Sequence, residues 1–78
     1  MSEQTPLEVN TRGLLCPMPV IRTQDAIKNL AAGAHLVVYA TDPGTLHDIP
    51  AWCRVHGHTV LRQAEEGREF VFEIRVEA

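Results

Sequence analysis

At 78 residues, 45% hydrophobic and 22% charged, the chain has the size and composition of one folded globular domain and no room for a second. The formal net charge is −3, and the seven basic residues are scattered as Arg12, Arg22, Lys28, Arg54, Arg62, Arg68 and Arg75, with no basic tract. That argues against an electrostatic grip on nucleic acid, although Arg12 and Arg22 flank the cysteine loop and could form a local patch, and the absence of any run of about 18 apolar residues excludes a membrane-spanning helix.

Residues 1–6 are polar and are expected to form a flexible lead-in to a single domain over residues 7–78. Leu7-Glu8-Val9-Asn10 alternates apolar and polar and predicts a short strand, ended by the turn Thr11-Arg12-Gly13. A helix is predicted from about Pro17 to Ala32, with Val20, Ile27 and Leu30 inward and Gly33 as its stop. The continuous apolar run from His35 to Ala40 predicts a central strand, and strand, helix and strand in this order make a right-handed unit with parallel strands. Loops at the carboxyl ends of such strands collect chemistry, which puts the segment around Cys16 and the turn Thr41-Asp42-Pro43-Gly44 at one edge.

A second helix is predicted from Thr45 to His56, with Gly57 as its stop and Ile49, Trp52, Cys53 and His56 on one face. Pro50 either kinks it or marks the start of its regular part, with Asp48 as N-cap. Thr59 to Ala64 and Glu69 to Glu77 predict a hairpin around Glu66-Gly67. In its second strand Phe70, Phe72, Ile74 and Val76 alternate with Glu69, Glu73, Arg75 and Glu77, giving one buried and one largely wet face. The expected fold class is an α/β two-layer sandwich of order βαβαββ, four strands with two helices on one face.

The residue types that carry chemistry concentrate in Gly13-Leu14-Leu15-Cys16-Pro17-Met18-Pro19. Proline belongs in the first turn of a helix, so Cys16 sits where a loop becomes a helix and faces the positive end of its dipole. The dipole contributes about 0.3–1 kcal/mol to a nearby anion, less than the roughly 2 kcal/mol needed to bring a thiol from about 8.5 to about 7. Pro17 and Pro19 have no N–H, which leaves Met18 as the one capping donor. Modest acidification of the Cys16 thiol is the expectation. It suits a sulfur that must both attack and leave, since nucleophilicity falls with pKa.

Gly-Leu-x-Cys-Pro-x-Pro, followed by Asp42-Pro43, Asp48-Ile49-Pro50-Ala51-Trp52-Cys53 and Gly57-His58, resembles the TusA/SirA-like family of small sulfur carriers over about Leu7 to Val76. The resemblance implies a mixed sheet. It implies also that Cys16 carries a persulfide sulfur, supported by the motif residues Gly13, Leu14, Pro17 and Pro19. A cysteine desulfurase or rhodanese-like protein would be the donor, and an acceptor sulfur-relay protein in tRNA thiolation, molybdenum-cofactor synthesis or sulfur oxidation would follow. Arg12, Arg22, Asp42 and Asp48 are the candidate partner-docking residues. Asn10 stands where the family commonly has Asp. No cofactor is expected on this chain; pyridoxal phosphate would belong to a desulfurase donor.

Competing readings attach to other residues. Cys53 reads as a core residue, or as a partner able to resolve an oxidised Cys16 if the two come close enough. Cys53 and His56, with His47 and His58 nearby, form an incomplete ligand set, and no metal is expected. Glu65-Glu66 reads as a solvated turn, and Asp42 and Asp48 as turn and capping residues. The alternative function is a non-catalytic interaction or regulatory module that uses the cysteine loop as a docking surface. The polar start, without the apolar core of a secretion signal, and only two cysteines give the reducing cytoplasm as the expected compartment. A monomer is the expected state.

Overall fold

The computed structural model describes residues 6–77. The expected lead-in lies outside the described residues but for Pro6. Six elements follow in the order β1 (Leu7–Thr11), α1 (Met18–Ile27), β2 (His35–Ala40), α2 (Thr45–His56), β3 (Thr59–Glu66) and β4 (Glu69–Arg75). The strands form one mixed sheet in the order β1-β2-β4-β3, with β1 parallel to β2 and both contacts of β4 antiparallel. This is the expected βαβαββ sandwich.

The core follows from register. Val9 pairs with Val38, which pairs across β2 with Phe72; Leu36 likewise faces Ile74, and Ala40 faces Phe70. Alternate residues point to one face, so Leu36, Val38, Ala40, Phe72 and Ile74 form an apolar floor. Ile49 and Cys53 of α2 pack on that floor in the same cluster as Val20, Ala26 and Ile27 of α1. Both helices therefore lie on one face.

Several details depart from the sequence expectations. α1 ends at Ile27 rather than Ala32, because the tail tightens into the bonds Asn29 N–H to Ala26 O (3.4 Å) and Leu30 N–H to Ile27 O (2.9 Å). Leu30 still reaches the core and Gly33 keeps its positive φ of 91°, so the apolar spacing persisted past the helix itself. On the opposite face of the sheet Val71 is buried beside its β2 neighbour Tyr39, so that face is not uniformly wet. In β3 the register shifts between Val60 and Arg62, an irregularity at Leu61 that leaves its side chain exposed.

α2 runs without a break from Thr45 with Gly44 as N-cap, so Asp48 is a first-turn residue and not the cap. Pro50 is inside the helix, where its missing N–H forgoes only the bond that Leu46 O would accept. The helix stops in a Schellman pattern: Gly57 at φ 82°, with His58 N–H donating to Cys53 O (2.8 Å) and Gly57 N–H to Arg54 O (3.4 Å). Ile49 and Cys53 are buried, while Trp52 is half-buried and His56 is exposed, so the predicted face is narrower than its spacing suggested.

Candidate functional site

Parallel pairing of β1 and β2 brings the two loops that follow them to one edge of the sheet, and short hydrogen bonds tie them together. Buried Thr11 donates its hydroxyl to Tyr39 O (2.7 Å), fixing the end of β1 against β2. The chain then turns at Gly13, whose φ of 80° suits glycine and whose N–H donates to Thr41 Oγ1 (2.8 Å). Three residues on, Cys16 N–H donates to Asp42 Oδ2 (3.0 Å). Asp42 also turns back on its own loop, its other oxygen accepting Gly44 N–H (3.3 Å) and its carbonyl accepting the Thr45 hydroxyl (2.7 Å).

The Cys16 side chain is exposed, and its Sγ donates to Asp48 Oδ2 at 3.1 Å. Asp48 was expected to cap α2, the place Gly44 takes; from the helix's first turn its carboxylate reaches the thiol. The effect on acidity is the reverse of the sequence expectation. The hydrogen bond to Asp48 leads in raising the Cys16 pKa, followed by desolvation and the negative charges of Asp48 and Asp42. The capping donor expected from the start of α1 is missing. Pro17, not Cys16, is the N-cap, and Met18 N–H is taken by Leu15 O (2.9 Å). Between two prolines no backbone donor remains for a thiolate. The Cys16–Pro17 peptide bond is cis.

The other candidate residues divide. Leu14 is half-buried, Pro17 is exposed, and Pro19 is buried in the first turn of α1, where its carbonyl accepts the Thr23 hydroxyl (2.8 Å). Arg12 is turned away from the thiol: its guanidinium makes a two-pronged pair with Glu69 (2.8 and 3.0 Å) and lies 4.4 Å above the Tyr39 ring. Its backbone N–H and Nη1 both donate to Asn10 Oδ1 (3.1 and 3.3 Å), so Asn10 acts on Arg12. Arg22 is exposed and forms no ion pair among the described residues. Leu15, 72% exposed, presents apolar surface beside the thiol.

Thr41 was not singled out from the sequence, although it opens the turn that receives the Gly13 N–H. Cys53 is free and buried in the core, and burial pushes its thiol up to about 11. His56 and His58 flank the Trp52 ring at 4.6 and 5.5 Å, and His58 Nδ1 accepts Glu77 N–H (3.1 Å). Among the described residues no three His, Cys, Asp or Glu side chains are grouped to hold a metal ion, and no helix is long and apolar enough to cross a membrane.

Comparison with known proteins converges on one family. The family model for the sulfurtransferase TusA matches residues 7–76. The sulfur carrier protein TusA of Pseudomonas putida (strain GB-1) is 44% identical over 79 residues, covering 100% of this chain and 99% of the relative. Its namesake from Pseudomonas aeruginosa (strain LESB58) is 40% identical over 70 residues, covering 90% and 89%. The crystal structure of a SirA-like protein from Desulfitobacterium hafniense matches with a TM-score of 0.81 over 92% of this chain and 99% of that one; at 19% identity it shows the shared fold. With the family model spanning nearly its whole length and relatives aligned end to end, this chain belongs to the TusA sulfurtransferase family.

Proposed function

We propose that this protein is a sulfur carrier and that Cys16 is the carrying residue. The observation that supports the reading best is an exposed thiol, on the loop leaving β1, held in one orientation by Asp42 at its backbone and Asp48 at its sulfur. Family membership gives the class of cargo. In loading, the Cys16 thiolate attacks the outer sulfur of a donor persulfide. The donor's S–S bond breaks as the new one forms, the donor leaves as a thiolate, and Cys16 becomes a persulfide with no net oxidation. Unloading is the same exchange in reverse sense, with an acceptor thiolate attacking and Cys16 leaving. The donor is of the cysteine desulfurase or rhodanese-like type, and the acceptor a relay protein thiol.

Loading replaces the hydrogen on Sγ by sulfur. The bond to Asp48 can then be made only by the outer S–H, about 2 Å further out along the new S–S bond. Exposure of Cys16 leaves room for that extension, whereas Cys53, buried in the core, has none.

The test is intact-protein mass spectrometry after incubation with a cysteine desulfurase and cysteine, on wild type, Cys16→Ser and Cys53→Ser. The expected result is a gain of one sulfur that a reductant removes and that Cys16→Ser alone abolishes. Undiminished loading of folded Cys16→Ser would refute the assignment. No loading of wild type by desulfurase or rhodanese donors that load a parallel carrier would refute the function.

A further inference from the structure

The two carboxylates beside Cys16 are unusual company for a sulfur that has to leave as an anion. Asp48 Oδ2 lies 3.1 Å from Sγ, Asp42 Oδ2 accepts the cysteine N–H at 3.0 Å, and the two acids flank Gly44, where an added methyl would sit 3.6 Å from Asp42 and 3.8 Å from Asp48. The cations on neighbouring elements do not offset them. Arg12 is committed to Glu69 and Tyr39, and Arg22 of α1 makes no ion pair among the described residues. Among the charged groups of the described residues, Asp48 and Asp42 act on the thiol's acidity, and both act to keep it protonated.

We propose that Asp48 is a positioning residue that guards the sulfur on Cys16 from free anionic thiols, so that exchange favours a partner whose surface brings a cation to the Asp48–Asp42 pair. This rests on the sulfur-carrier reading. An attacking thiolate forms a bond to the outer sulfur and the bond to Sγ breaks, leaving a Cys16 thiolate that takes a proton from water. Next to Asp48, both the arriving and the departing charge are opposed by the carboxylate, and a thiol of higher pKa leaves more slowly. A cation brought to the pair removes both penalties.

Two measurements test it on wild type, Asp48→Asn and Asp48→Glu. In the first, the empty protein is alkylated with neutral iodoacetamide and anionic iodoacetate from neutral to alkaline pH, with Cys16 monitored by peptide mass. Asp48→Asn should shift the profile to lower pH, raise the rate at neutral pH about two- to fivefold as expected for one screened surface contact, and favour iodoacetate in particular. Asp48→Glu should stay near wild type.

In the second, loaded protein is challenged with cationic cysteamine or anionic mercaptopropionate. Wild type should give up its sulfur preferentially to cysteamine, and Asp48→Asn should lose that preference by a similar factor. A folded Asp48→Asn with an unchanged alkylation profile, or an unchanged preference between the two thiols, would overturn the guarding role while leaving the carrier reading intact. Failure of wild type to load at Cys16 would overturn the carrier reading and the guarding role with it.

Discussion

α2 carries a glycine at each end, and the two should respond differently to the same substitution. Gly57 terminates the helix at φ 82°, and no atom lies within 4 Å of where its Cβ would be, so Gly57→Ala meets no clash. Its cost is purely conformational. The left-handed backbone penalises an L-residue by about 1–2 kcal/mol, and a less flexible unfolded chain returns roughly 0.4–1 kcal/mol, for a net loss of about 1 kcal/mol. In a domain of this size that lowers Tm by roughly 4–8 °C. Gly57→Asn should lose about half as much, since Asn visits this conformation at lower cost. Gly44 sits at φ −60° and ψ −23°, which any residue adopts, and the Cβ of Gly44→Ala would make only ordinary contacts with Asp42 and Asp48. It should melt with wild type, within about 0.5 kcal/mol. Thermal and urea unfolding followed by circular dichroism measure all three. A Gly57→Ala protein as stable as wild type, or a Gly44→Ala protein losing more than Gly57→Ala, would refute the reasoning.

Cys53 folds as the neutral thiol, so its contribution is complete below the unfolded pKa of about 8.5 and is lost as pH rises through about 11, a fall of about 3 kcal/mol. Urea unfolding across that window should show the slope in wild type and its absence in Cys53→Ala. Glu69 is held below the usual carboxylate range, chiefly by its hydrogen bond from Arg12. Any stability it adds is present above the ordinary carboxylate pKa and is lost as pH falls through the lowered one. In Arg12→Ala the Glu69 carboxyl should titrate by NMR at an ordinary carboxylate value, above that of wild type. Phe72 is fully buried at the centre of the sheet, and Phe72→Ala should cost about 3–5 kcal/mol, enough to unfold much of a small domain; far-ultraviolet circular dichroism and a urea midpoint check it.

The elements were legible because their signals are local. Alternation gave β4, the apolar run gave β2, and Gly57 stopped α2 where the structure stops it. The end of α1 was not, because Leu30 packs inward from a tightened turn as well as from a helix, and spacing alone does not separate the two. At the site, the cysteine loop and the Asp42 turn could be placed at one edge from strand order. The Cys16–Asp48 bond could not: it joins residues 32 apart, and local preference had a ready use for Asp48 as a cap. The acidity of Cys16 was misread for the same reason, the dipole of α1 being visible in sequence and the carboxylate of α2 not.

The irregularity at Leu61 bears on how the molecule keeps company with copies of itself. β1 and β3 are the two edges of the sheet, and an edge strand offers unpaired backbone groups to any other extended chain. β1 is five residues long, a short template. β3 is eight residues long and would be the better one, but the displaced residue interrupts its ladder, and Arg62, Glu65 and Glu66 place charge along what remains. A second strand laid alongside would have to match the same offset and bring its own charges into opposition. Deleting Leu61 would straighten the edge and invite stacking into sheets of many molecules.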